Sequence, residues 1–234
     1  MPTGFDPADY FDNDGADRAR WRSLLSNVAE QGEMPRKILD VGCGTGAFLE
    51  EAAHQVPSAE LTGIELDPER AALARRRNPE AHVRQGDALR VLSQMDGRFD
   101  LITLWDVFEH VCDPRALLQA LATRLREGGT IFIQTIHEYS LVPTLGRLSY
   151  RLTGGRLRTA ARRTHEAHHL VFFSRAGLGL LADAANLSIT RRWYDRLARA
   201  RMDGHPVVTA ATAALLTAEN AMGNGLFINL VLQS

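Results

Sequence analysis

Three glycines at alternate positions, Gly42, Gly44 and Gly46, follow an apolar run that ends in Asp40. Glycine is the costliest residue to order, so this spacing marks backbone that approaches something closely. A helix starting just after them, in TGAFLEEAAHQV, would aim unpaired N–H groups and the positive end of its dipole at the same space. Such a loop cradles either a phosphate or the amino-acid part of a ligand. Gly42-x-Gly44-x-x-Ala47 satisfies the dinucleotide fingerprint, and Glu65 lies where a ribose-binding acid belongs. Asp40 argues the other way, because a carboxylate there repels a pyrophosphate and suits an ammonium. A third acid, Asp87 in Gln85-Gly86-Asp87-Ala88, could accept from the amino group of an adenine.

These residues need elements to hold them. RKILDVG, AELTGIELD, AHVRQGD, RFDLITLWD and TIFIQTI read as short buried strands. Helical patterns separate them: TGAFLEEAAHQV, then PERAALARRR with Pro68 at its start, then DPRALLQALATRLREGG. The last has Asp113 as N-cap, Pro114 at its first position and Gly128 at its C-terminal end. Strict alternation implies a parallel sheet with helices on both faces, which places Asp40, the glycines, Glu65 and Asp87 at the carboxyl ends of adjacent strands. An amphipathic helix over 16–30 precedes this core. A loosely helical, Arg-rich stretch (141–164), a helix (SRAGLGLLADAAN), a strand (LSITRRWYD), a helical segment (205–222) and a closing strand (GLFINLVLQS) follow it. The expectation is one α/β domain over 1–234 with a Rossmann-like, seven-stranded, mostly parallel sheet. It comprises an N-terminal helical cap (1–35), a core (36–136) and helical insertions after strands 5 and 6 (137–173 and 196–224).

ILDVGCGTG, GIELD, QGDA, FDLITLWDVFEHVCDP and LREGGTIFIQTI together resemble the successive motifs of class I S-adenosylmethionine-dependent methyltransferases, in order and at the family's spacing. HHLVFFSRAGLGLLADAANLSI is similar to the continuation found in the ubiquinone-pathway O-methyltransferases. The resemblance implies S-adenosylmethionine as cofactor, with its methionine part at Asp40, Gly42, Cys43, Gly44 and Gly46. It implies the ribose on Glu65, the adenine near Leu66, Asp87 and Ala88, and Trp105 beside the cofactor. Arg18 would pair with the cofactor carboxylate or else belong to a charged helix face. Tyr10 and Phe11 resemble an aromatic cover over the cofactor.

Methyl transfer from a sulfonium needs alignment first, and a base only where the acceptor must lose a proton. His137 and His169 are the candidate bases, and His110 is either a base or part of the pocket floor. His165 and His168 are equally read as solvated. Asp106, Glu109 and His110 resemble a divalent-cation site proposed for some relatives, with Asp106 in place of a Glu. An Asp capping the turn accounts for the same spacing, so no metal is expected. The expected activity is methylation of a small-molecule acceptor, on oxygen in preference to nitrogen or carbon. A nicotinamide-dependent oxidoreductase and a non-catalytic cofactor-binding relative are the alternatives.

A formal net charge of −1 gives no reason to expect a nucleic-acid or membrane partner. Two cysteines, Cys43 and Cys112, argue against a disulfide framework and for a reducing cytoplasm. The acidic N-terminus is not a signal peptide. Twenty-six of the 27 basic residues are arginine, and coding bias explains this better than function does. The Arg-rich stretch 147–163 reads as a solvated cap, or as recognition of an acidic acceptor. Segment 205–222 reads as a lid or a homodimer contact.

Overall fold

The structure is a computed structural model that describes residues 15–31, 34–154, 170–195, 214–215, 217–219, 221 and 223–233. Seven strands form one sheet: β1 (Lys37–Val41), β2 (Glu60–Glu65), β3 (His82–Gln85), β4 (Phe99–Trp105), β5 (Leu125–Ile136), β6 (Ser188–Asp195) and β7 (Phe227–Gln233). Their order is β3-β2-β1-β4-β5-β7-β6. β7 runs antiparallel to both neighbours, and the other pairings are parallel. The expected mostly parallel, seven-stranded sheet is present.

Helices cover both faces because alternate strand residues are apolar on both. Ile38 and Leu101 pack with Trp21 and Leu25 of α1 (Gly15–Gln31), Phe48 and Leu49 of α2 (Ala47–Gln55), and Ala71 and Ala74 of α3 (Pro68–Arg77). On the other face, Leu39, Ile102 and Leu104 pack against Val91 and Leu92 of α4 (Ala88–Ser93) and Leu117 and Leu121 of α5 (Pro114–Arg124). Leu178 of α7 (Arg175–Ala184) joins them. Helix α6 (Leu141–Leu152) lies between β5 and α7 in sequence. Side-chain caps start α3, α4, α5 and α7: Asp67, Asp87, Asp113 and Ser174 each accept a first-turn N–H.

One boundary differs from expectation. α5 ends at Arg124 rather than at Gly128, and β5 begins at Leu125 rather than at Thr130. Leu125 is buried and pairs with Phe99, and its carbonyl accepts from Arg98 Nη1 at 3.0 Å. The register then shifts, so that Leu101 pairs with Thr130. Gly128, at φ +71°, lies within this irregularity of the strand and does not cap the helix.

Candidate functional site

β1 ends at Val41, and the chain folds back over the end of β2. The N–H groups of Gly42 and Cys43 both donate to the Ile64 carbonyl, at 2.7 and 3.0 Å. Gly46 N–H donates to the Cys43 carbonyl at 2.9 Å, and Gly46 enters α2 with φ +82°. All three glycines have positive φ, yet their surroundings differ. A Cβ on Gly42 would collide with Val107, and one on Gly46 with Asn78, whose Nδ2 donates to the Gly46 carbonyl at 3.0 Å. A Cβ on Gly44 would meet nothing within 4 Å. Gly44 alone faces open space.

Glu65 closes this loop. Its Oε2 accepts from Gly44 N–H at 2.8 Å and its Oε1 from Asp67 N–H at 2.9 Å. The carboxylate is buried at the end of β2, and each oxygen keeps a lone pair for a ligand hydroxyl. Asp40, also buried, accepts from Thr103 Oγ1 at 2.8 Å. Burial pushes its carboxyl up to about 8, and the nearby Glu65 charge adds to the shift. A cation placed here would restore the ionised form. Leu66 is exposed beside Glu65 and supplies an apolar wall, while its carbonyl accepts from Gln85 Nε2 at 2.8 Å. Asp87, exposed, caps α4 through Oδ1, and half-buried Ala88 follows it. The strands therefore bring Asp40, the glycines, Glu65, Leu66, Asp87 and Ala88 to one edge. This set of acceptors, one apolar wall and one open glycine suits a ligand with an ammonium, a diol and a flat heterocycle.

Cys43, Arg18, Trp105, His110 and the acids after β4 lie beyond this set. The Cys43 side chain turns into the core against Gly63, where a Cβ would lie 2.7 Å from its Sγ; only its main chain borders the loop. Arg18 is engaged elsewhere: its guanidinium donates to Glu50 at 2.7 Å and to buried Glu51 at 3.1 Å, which also accepts from Arg22 at 2.7 Å. These pairs fasten α1 to α2, as a charged helix face does. Trp105 packs on Trp21, Phe48 and Phe132, and its indole N–H is buried with no partner among the described residues. His110 is exposed at the end of a three-residue 3-10 turn, Phe108–His110, of which Phe108 and Glu109 are the buried members.

The turn is too short to align Asp106, Glu109 and His110 as a helix would. Asp106 does not cap it either. Asp106 has φ +53° and accepts from Gln134 Nε2 at 2.9 Å, while Glu109 Oε2 accepts from Thr135 Oγ1 at 2.8 Å. Cys112 is exposed, outside both core and site.

His137 follows β5 and is buried. Its ring lies 5.0 Å from that of Tyr194 and 6.0 Å from that of Tyr139. Burial lowers its pKa, against hydrogen bonds with the Gly225 backbone and the Asn224 side chain that raise it. Its Nδ1 has no partner among the described residues. His169, His165, His168, Tyr10 and Phe11 lie outside the described residues, as do most of segments 147–163 and 205–222. Thr103, Asn78, Gln134 and Thr135 escaped the sequence reading. Their only signal was a polar residue inside an apolar strand or at a helix end.

The sequence pattern of the methyltransferase domain family matches residues 14–191. The ubiquinone biosynthesis O-methyltransferase of Aeromonas salmonicida is 37% identical over 106 residues, 44% of this chain and 44% of that one. The enzyme of the same name from Xanthomonas campestris is 36% identical over 118 residues, 48% of each chain. The chain thus spans about half the length of the curated relatives it matches. Among solved structures, an S-adenosylmethionine-dependent methyltransferase from Clostridium acetobutylicum superposes with a TM-score of 0.65 at 14% identity, covering 97% of this chain and 95% of that one. The plantazolicin methyltransferase BamL, solved in complex with a triazolic desmethylPZN analogue and SAH, gives 0.65 at 15% identity over 97% and 93%. Those likenesses speak for the fold, the family pattern for descent, and the crevice for the cofactor. The chain belongs to the methyltransferase domain family, in its class I S-adenosylmethionine-dependent group.

Proposed function

We propose that this protein transfers the methyl group of S-adenosylmethionine to a hydroxyl oxygen of a small-molecule acceptor. The observation that carries the cofactor half is Glu65, buried and fixed by two backbone N–H groups, beside the open side of Gly44. Glu65 accepts the ribose hydroxyls, and Leu66 and Asp87 border the adenine. The first-turn N–H groups of α2, which no side chain caps, face the cofactor carboxylate. Buried Asp40 holds the ammonium. When bound, the cofactor supplies an already activated methyl, so the chain's own residues act mainly by alignment and by excluding water.

Oxygen as the acceptor atom rests on the O-methyltransferases among the curated relatives and on His137. A hydroxyl must lose its proton, and His137, whose pKa burial lowers and whose buried Nδ1 has no partner among the described residues, is the candidate base. An acceptor screen with isotope-labelled cofactor tests the class: label should appear in a methyl ether. His137→Ala should lower the rate about 10²–10⁴-fold. It should also remove the acid limb of the pH profile, which in the wild type rises through a value below the usual histidine range. Full activity in His137→Ala would place the base elsewhere or make the acceptor an amine.

A further inference from the structure

Glu219 and the stretch 223–226 lie against the turn that carries His137, and hydrogen bonds tie the two together. Ser140 Oγ and Leu141 N–H donate to the buried Glu219 carboxylate at 3.0 and 2.7 Å. Asn224 N–H donates to the Glu219 carbonyl at 3.1 Å, and Asn224 Nδ2 donates to the Tyr139 carbonyl at 3.1 Å. His137 N–H donates to the Leu226 carbonyl at 2.8 Å. Between them Gly225 is buried, and a Cβ there would lie 2.7 Å from the Asp195 carbonyl oxygen and 3.1 Å from Tyr194 Cβ. Glycine lets the backbone pass this close to the end of β6, which brings residues 224 and 225 beside the His137 ring.

These bonds orient one side chain. A carbonyl can only accept, so the Asn224 amide turns Nδ2 toward Tyr139, and Oδ1 is the atom that can accept from the ring. The hydrogen bonds of the ring with the Gly225 backbone and the Asn224 side chain both favour its protonated form, as bonds donated by the ring do. Nδ1 has no partner among the described residues, which leaves Nε2 as the donor. Burial and Arg175 of α7 act the other way, Glu138 adds to the raising effect, and the rings of Tyr139 and Tyr194 complete the surroundings. A neutral imidazole has one N–H, and the bond made there decides which nitrogen keeps the lone pair. We propose that Asn224 is a positioning residue: it holds Nε2–H of His137 and so leaves Nδ1 with the lone pair that receives the proton of the acceptor hydroxyl. As the hydroxyl oxygen bonds to the methyl carbon, its proton passes to Nδ1 and the carbon–sulfur electron pair stays on sulfur. This rests on His137 as the base.

Nitrogen-15 NMR of the full chain reads the tautomer, with the His137 signals assigned by their loss in His137→Gln. At about pH 8, above the ordinary histidine value, wild-type His137 should carry its proton on Nε2. Asn224→Ala should lower the His137 titration midpoint by about one unit, and Asn224→Asp should raise it by a similar amount. The acid limb of kcat should move with the midpoint in each variant. In Asn224→Ala, kcat should fall about tenfold or more at an unchanged KM for S-adenosylmethionine. A residue that only braced the turn would lower Tm in both variants without moving the midpoint in opposite directions. A proton on Nδ1 in the wild type, or an unmoved midpoint in both variants, would overturn the proposal. The wild-type tautomer decides even where Asn224→Ala fails to fold. Full activity in His137→Ala would instead overturn the base, and with it the part of Asn224 in the reaction, whichever tautomer is found.

Discussion

Glu65 already holds the N–H groups of Gly44 and Asp67, and the proposed function assigns its remaining lone pairs to a ribose diol. Removing it should cost two charge-assisted bonds, each worth roughly 1.5–3 kcal/mol. Glu65→Ala should therefore weaken adenosylhomocysteine binding by more than about tenfold in calorimetry, and unchanged affinity in a folded variant would refute the role. Asp40 makes a pH prediction. Its folded value of about 8 lies above its ordinary 3.8, so the native state binds an extra proton between those limits. Stability is favoured below the lower value and falls as pH rises toward 8. Asp40→Asn should flatten that slope and raise Tm at pH 8 by at least about 2–4 °C, the response of a chain this size to 1 kcal/mol. An ammonium ligand should draw the proton off Asp40. Calorimetry of adenosylhomocysteine in buffers of different ionisation enthalpy should then show proton release below pH 8, absent in Asp40→Asn.

The loop between β1 and α2 distributes two tasks among its glycines. Gly42 and Gly46 are closed in by Val107 and Asn78, so any side chain there strikes the fold itself. Gly44 has the same left-handed backbone but an open side. Gly42→Ala and Gly46→Ala should each lower stability in denaturant unfolding, by more than the roughly 1 kcal/mol expected from positive φ alone. Gly44→Val should keep a near-normal circular dichroism spectrum while abolishing adenosylhomocysteine binding. Normal binding by Gly44→Val would make the whole loop structural. At the other end of the core, the α5–β5 junction shows an element misread from its residues. LREGG continues the helical pattern of ALLQALAT, yet Leu125 is drawn into the strand by Phe99, a partner 26 positions earlier.

Across the molecule, the carboxyl ends of β1, β2 and β3 meet at one crevice that carries Asp40, Glu65 and Asp87, a set that suits an ammonium and a diol better than a pyrophosphate. Adenosylhomocysteine at 100-fold its Kd should raise Tm by about 5–10 °C, and NAD should not. An NAD shift of equal size would revive the oxidoreductase reading. Activity should survive exhaustive chelation, because Asp106 and Glu109 are each tied to β5 and no helix aligns them with His110. Loss of activity restored by magnesium would make them ligands.

The alternation of elements, the glycine loop and the acids at strand ends were legible in the sequence, because each rests on local rules: the period of burial, turn chemistry, caps. Tertiary structure alone decided which of the three glycines has an open side. It also turned Cys43 into the core against Gly63 and gave Arg18 to Glu50 and Glu51. Asp106 and Glu109 went to Gln134 and Thr135 in the same way. Each of those outcomes depends on a partner tens of residues away. Residue type and spacing state what a side chain can do, and only packing states which neighbour it meets.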